Sequence, residues 1–363
     1  MKLRDIIAAL ESWAPPAYQE GYDNSGLIVG DYMANVDAAL VTLDCTEAVV
    51  DEAIAKGVGL IIAHHPIVFG GLKRFNGSDY VQRTVMKAIS HGVAIYAIHT
   101  NLDNVHDGVN RHLGELIGVH NQRILQPKGE LFEKIVVFVP HSHAEQVREA
   151  LFAAGAGAIG DYVECSYTTE GTGTFRANES ANPFVGERGE RHSEPEARVE
   201  VIVPRHMGAK AIAAALAVHP YEEVAFDRYP LTNTASRVGS GMIGDLPEAM
   251  SWQALFDRLK HELKAQVIRH TQLPETPVKR VAYCGGSGFF LLQAAKRAGA
   301  DVFITSDVKY HQFFDAEGIV LADVGHWESE HRTVELIARY LNGKFANFAV
   351  HFSQTHTNPV KYY

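Results

Sequence analysis

Apolar residues occur along this chain in short runs separated by polar and turn-forming clusters, and the spacing within each run predicts its element. The opening segment Met1–Trp13 is an apolar run broken by Arg4 and Asp5, the pattern of an amphipathic helix and not of a signal peptide. A strand is predicted over Val36–Leu43, a helix over Thr46–Lys56 and a short buried strand over Leu60–Ala63. A helix over Tyr80–His91 and a strand over Ala94–Ile98 follow. Alternating strands and helices with short connections give a mainly parallel, layered sheet, and such sheets place ligands beyond the carboxyl ends of their strands.

The last third repeats the theme. A strand over Arg280–Tyr283 leads into the tight turn Gly285-Gly-Ser-Gly288, a helix over Phe290–Ala298, and strands over Val302–Thr305 and Gly318–Asp323. Val41–His65 and Val281–Asp307 share a strand–turn–helix–Gly–strand order, with Lys56-Gly57 matching Ala298-Gly299. That match sets His64-His65 level with Ser306-Asp307 and predicts two related α/β halves facing a common cleft.

Between them, Gly129 to Asn233 has its own internal repeat. Lys134–Pro140 followed by an Ala-rich helix matches Arg198–Pro204 followed by another, and each copy then enters a strand, over Asp161–Thr168 and Tyr221–Tyr229. Two βαβ units of this size predict a ferredoxin-like sandwich, with Gly171–Pro195 as a long loop or β-arm. The expected organisation is an α/β half over 1–128, an inserted ferredoxin-like α+β domain over 129–233, and a second α/β half over 234–363.

Composition narrows the class. The 363 residues are 46% hydrophobic and 21% charged, ordinary for a soluble globular protein. No apolar stretch reaches the ~18–20 residues of a membrane span, so a cytoplasmic protein without membrane association is expected. A formal charge of −10 argues against a dedicated nucleic-acid binder, which shows a basic face. Cys45, Cys165 and Cys284 are far apart, match no zinc spacing, and read as reduced thiols.

The candidate chemistry lies where the strands end. His64-His65 precedes Pro66, and His99 precedes Thr100-Asn-Leu-Asp103-Asn104, a polar loop leaving the same edge of the sheet. His326 and Glu330 are spaced i, i+4, one turn apart on one face of a predicted helix. The plain readings are a buried and a surface histidine, a turn aspartate and a chance helical pair. Glu328 and His331 are rivals, but Glu328 would point away from His326. Three imidazoles and two carboxylates are too many for one closed zinc site and suit two metals sharing a bridging carboxylate, for which Glu330 is the choice. His99 reads as ligand, proton carrier or ring orienting Asp103. Asp307 and His311 are candidates for acid/base chemistry, with a structural cap as the alternative. The Gly285–Gly288 turn lacks a full G-x-G-x-x-G, since the third glycine would be Leu291. It reads best as a turn letting backbone approach the site, with a phosphate contact as the lesser option.

Taken in order, Asp23-Asn-Ser-Gly-Leu27, Ala63-His-His-Pro66, His99-Thr-Asn-Leu-Asp103, Gly285–Gly288, Ser306–His311, Gly325-His326-x-x-x-Glu330 and Thr357-Asn-Pro-Val360 resemble the Nif-three-like family, also called GTP cyclohydrolase I type 2 homologues. The insert, with His219-Pro-Tyr-Glu-Glu223, resembles the PII/CutA-like domain of its longer members. The resemblance implies two divalent ions: His65 and Asp103 on one, His64 and His326 on the other, Glu330 bridging. It also implies a ring-shaped homohexamer with the metal sites facing an internal cavity. Zn, Mn, Fe, Co and Ni all suit such a donor set. The expected function is metal-dependent hydrolysis of a nucleotide or related small heterocycle, with His99 or Asp307 moving the proton. The alternative is a non-catalytic regulatory or assembly protein whose insert binds an effector or partner.

Overall fold

The computed structural model describes residues 1–363 and divides into two compact units, Met1–Pro127 with Arg237–Tyr363, and Lys128–Ser236. The first is a mixed α/β unit built on two sheets. In one, Gly26–Val29, Ala94–Ala97, Leu60–Ala63, Ala38–Thr42 and Ala349–Phe352 lie side by side in that order. The middle three are mutually parallel, in the register Thr42, Ala63, Ala97 at their carboxyl ends. Leu60–Ala63 is buried at every position, which is why it reads as a continuous apolar run.

The other sheet has six strands, with Val278–Tyr283, Val302–Thr305 and Val320–Asp323 as its parallel core. Each core trio is entered through glycines in the left-handed region, Gly57 and Gly92 in the first sheet, Gly299 and Gly318 in the second. Helices form where caps and apolar spacing coincide. Thr46 caps Glu47–Ala55 through Val49 N–H, Asp79 caps Tyr80–Ser90 through Gln82 N–H, and Leu3–Trp13 buries Leu3, Ile6, Ile7 and Leu10.

Several elements differ from expectation, among them the strand expected over Tyr221–Tyr229, which runs over Phe226–Leu231. The polar stretch after His99 is a one-turn helix, Thr100–Asp103, rather than a loop. Its polar side chains build the turn: Asn101 Oδ1 accepts from His99 N–H, Asn101 Nδ2 donates to Ala14 O, and Asp23 accepts from Thr100 N–H. The first strand–helix repeat of the second unit is also shifted, because its second strand runs over Ser166–Arg176 rather than 161–168.

The second unit carries a four-stranded antiparallel sheet with Ser166–Arg176 and Phe226–Leu231 at its edges and Arg191–Pro204 and Phe132–Pro140 between them. With helices Ala144–Ala153 and Gly208–Val218 the chain order is βαββαβ. Ser166–Arg176 pairs with Arg191–Pro204 over its whole length, so the polar Gly171–Pro195 region forms a β-arm. His219 donates through Nε2 to Phe138 O and accepts from Tyr221 N–H, so it holds its own loop. No helix is long and apolar enough to cross a membrane.

Candidate metal centre

The strand ends deliver the side chains. His64 and His65 follow Ala63, His99 follows the neighbouring strand, and His326–Glu330 forms a short helix after the strand Val320–Asp323 of the other sheet. Gly325 opens that helix with φ +94, and a Cβ there would fall 2.2 Å from the Glu328 carboxylate. The ring centroids of His64 and His99 each lie 5.1–5.3 Å from that of His65, and His326 lies 5.3 Å from it on the other side.

Glu330 sits at the centre, only 3% exposed. One oxygen, Oε2, is 2.9 Å from His65 Nε2 and 3.0 Å from His326 Nε2. The other, Oε1, lies 4.0 Å from His64 Nε2, which is 3.6 Å from Asp103 Oδ1. All five expected residues therefore come together. His65 stands with His326, and His64 with Asp103. The His64 and His65 rings lie 5.1 Å apart, and their donor atoms converge with that of His99 on one pocket.

Each imidazole is anchored by Nδ1. His64 donates to Ile98 O at 2.8 Å, His65 bonds Asp44 Oδ1 at 2.7 Å, and His326 bonds Asp307 Oδ2 at 2.7 Å. A carbonyl only accepts, so His64 carries its proton on Nδ1 and turns a bare Nε2 lone pair into the site. Burial pushes its pKa down to about 3, which keeps that lone pair. His64 Nε2 and Asp103 Oδ1 are buried polar atoms with no hydrogen-bond partner in the protein, the disposition that fits a cation between them. Burial and the Glu330 charge push Asp103 well above the usual carboxylate range.

On the other side, burial works against charge on His65 and His326, but their carboxylate partners prevail. The hydrogen bonds with Asp44 and Glu330 push His65 up to about 9, and the Glu330 charge with Asp307 pushes His326 up to about 11. Glu330, also opposed by burial, is held well below its ordinary value by His326 and His65. The pocket thus demands positive charge beside Glu330, which a divalent cation on the same nitrogen and oxygen donors supplies.

Asp307 differs from its expected place in the chemistry. Its backbone is left-handed at φ +55, and its carboxylate holds the His326 ring instead of standing at the centre of the cluster. His311 lies in the 3₁₀ turn Tyr310–Ala316 with its ring against Tyr310. His331 stacks on Trp327 at 4.2 Å, and Glu328 lies near Asn358 at 3.5 Å.

His99 bonds Asp23 Oδ1 through Nδ1 at 2.7 Å, leaving Nε2 toward His64 and His65. Although burial opposes it, the His99 hydrogen bond keeps Asp23 well below the usual carboxylate range. Asp23 and Asp44, as orienting groups, were not singled out from the chain, because each is an ordinary turn aspartate 76 or 21 residues from its histidine. The signal for Asp44 is position, since it follows the strand Ala38–Thr42 at the edge where the candidate ligands gather, and the signal for Asp23 is its place at the head of the motif Asp23–Leu27.

The glycine turn gives the backbone its close approach. Gly286 has φ +62, and a Cβ there would lie 2.3 Å from Glu330 Oε1. The cluster lies in a cavity of about 940 Å³ within the α/β unit.

A family model described as Duf34/NIF3 (NGG1p interacting factor 3) matches residues 1–359. A protein from Halalkalibacterium halodurans, named GTP cyclohydrolase 1 type 2 homolog, is 38% identical over 98% of both chains. A Bacillus subtilis protein of the same name is 38% identical over 99% of this chain and 98% of its own. Among solved structures, a Bacillus cereus protein described as related to NIF3 has a TM-score of 0.86 at 38% identity, covering 100% of this chain and 99% of the other.

Proposed function

This chain belongs to the Duf34/NIF3 family, and on that premise we propose that it is a two-metal hydrolase acting on a nucleotide-like heterocycle. The observation that carries the reading is Glu330, whose two oxygens face different donor pairs across a buried site. His65 and His326 would hold one divalent ion through Nε2, His64 and Asp103 the other, and Glu330 would bridge them. Such a pair, when bound, supplies Lewis acidity and an activated water at neutral pH. Mixed imidazole and carboxylate donors suit Zn, Mn, Fe, Co or Ni.

The remaining residues prepare the site. Ile98 O, Asp44 and Asp307 fix the three ring orientations, so each Nε2 faces inward without a search over rotamers. His99, braced by Asp23, takes and returns a proton at Nε2. Asp307 serves as a positioning residue for His326. The relatives' name, GTP cyclohydrolase 1 type 2 homolog, supports a heterocyclic substrate opened by water. The reading includes the domain organisation 1–128, 129–233 and 234–363, a homohexamer, and a cytoplasmic site of action.

A second reading rests on the separate Lys128–Ser236 unit. Its βαββαβ order is that of ferredoxin-like, PII/CutA-like domains, so it would bind an effector or partner while the metals brace the α/β unit.

Elemental analysis of wild type and Glu330→Ala, with formate release from guanosine and from GTP assayed on both, tests the leading reading. Two ions per chain in the wild type, fewer in the variant, and metal-dependent turnover are expected. Two ions retained in Glu330→Ala would remove the bridge. Metal without any hydrolytic turnover would favour the regulatory reading.

A further inference from the structure

Around the metal cluster the cavity wall is acidic. Besides Asp103 and Glu330 it carries Glu20, Asp44, Asp307, Asp323 and Glu328, and its one Lys or Arg side chain is Arg269. That guanidinium is already engaged, donating to Val308 O at 3.0 Å and pairing with Asp323. Two divalent ions would bring four positive charges against seven carboxylates and one guanidinium, so the wall remains net negative with both in place.

The backbone offers a phosphate chain little more. The glycine turn is the one place where a phosphate cradle is suggested, and the N–H groups of its three glycines are spent inside the protein, leaving Ser287 on the cavity wall. Gly285 N–H donates to Asn110 Oδ1 at 2.9 Å, Gly286 N–H to Ser329 Oγ at 3.0 Å, and Gly288 N–H to Thr305 Oγ1 at 2.8 Å. The α-helix that follows, Leu292–Arg297, has six residues and is preceded by the 3₁₀ turn Phe289–Leu291. Anion sites need oriented N–H groups or an available Arg or Lys.

Planar apolar surface is abundant instead. Phe69, from the first sheet's side, and Phe290, from the second's, both line the cavity and stay 53% and 60% exposed. The Phe69 ring stands edge-on to His99 at 5.7 Å, next to the donors. Tyr22 and Tyr80 add two further exposed rings to the wall. Large rings left open beside a buried polar cluster are the equipment for stacking a flat ligand and presenting its edge to the reactive groups.

We infer that the cavity takes an uncharged planar heterocycle, a nucleobase or nucleoside seated against Phe69 and Phe290, and discriminates against nucleoside triphosphates. This deepens the hydrolase reading and rests on it.

The test is calorimetric titration of the full chain, loaded with Mn²⁺ and its metal content measured, using guanosine, guanosine monophosphate and GTP at low and high salt. Affinity should fall as ligand charge rises, with GTP weaker than guanosine by about tenfold or more at low salt. That gap should narrow as salt screens the wall. Phe69→Ala and Phe290→Ala should each weaken guanosine by about tenfold, in line with the loss of a stacked ring, while Phe69→Tyr keeps the affinity. GTP binding more tightly than guanosine would overturn the inference. So would alanine variants that bind guanosine like the wild type, or a two-metal protein that binds none of the three. A chain that takes up no metal overturns the metal-centre reading, and this one with it, and elemental analysis separates that failure from the others.

Discussion

Asp44 holds His65 Nδ1 at 2.7 Å and is itself held through Oδ2 by the Thr357 hydroxyl at 2.6 Å. Burial opposes its charge, yet the His65 hydrogen bond keeps its pKa below the ordinary value. Removing it frees the ring to rotate and lowers the basicity of Nε2. Asp44→Ala should therefore weaken metal binding by about 10–100-fold with the fold intact, read by competition against a chelating dye. Unchanged affinity would show that His65 needs no orienting carboxylate. Gly286 is the complementary case. Alanine there would carry a strained φ of +62 and set its Cβ 2.3 Å from Glu330 Oε1, so Gly286→Ala should lose metal without global unfolding. Wild-type metal content in that variant would contradict the close approach. The five candidate ligands are legible as residues because each ends a strand or shares a helical face, and the fold brings them together. How they divide between two ions is not legible from the chain, since it depends on which way two adjacent rings turn. Asp44 is not legible, because nothing local marks an aspartate whose partner is remote in sequence, and the motif that opens with Asp23 does not show its bond to His99.

Elements were read best where burial and periodicity agree. Leu60–Ala63 and Val302–Thr305 have the predicted bounds because every residue in them is buried and a glycine precedes each. The stretch after His99 carries no helical signal in its sequence because its turn comes from side-chain hydrogen bonds of Asp23 and Asn101, not from an apolar stripe. Side chains also decide the course of the chain's end. Glu52, on the helix Glu47–Ala55, accepts from Lys56 Nζ, Ser353 Oγ, Gln354 N–H and Thr355 Oγ1, and so ties residues 353–355 to the first sheet's helix. Partial burial would raise its pKa, but these donors hold it at about 2. A carboxylate depressed in the folded state stabilises above its unfolded pKa, about 4.3, and loses that contribution as pH falls toward the folded value. Glu52→Gln should cost on the order of 1–3 kcal/mol at pH 7 in urea denaturation, with the difference from wild type closing between about pH 4.5 and 2. A difference that stays constant over that window would mean that the charge is not what holds the segment.

At the scale of the whole molecule, the shared strand–helix–glycine–strand order is legible, and it becomes two sheets, the first with four parallel strands and the second with three. Chain length and composition did not locate the cavity; the meeting of His65 with a residue 265 positions away did. Without metal, Glu330 and its two imidazoles rely on protons to balance charge, so metal binding should stabilise the folded chain by mass action. An ion present at 100 times its dissociation constant contributes about 2.7 kcal/mol, and chelation should lower the thermal midpoint accordingly. A melt indifferent to chelator would argue against metal binding at a folded site. The central claim, two ions bridged by Glu330, is tested most directly by anomalous diffraction from crystals grown with Mn²⁺. Two peaks are expected, one between His65 and His326 and one between His64 and Asp103, with a Glu330 oxygen toward each. A single peak, or two peaks that Glu330 does not join, would contradict it.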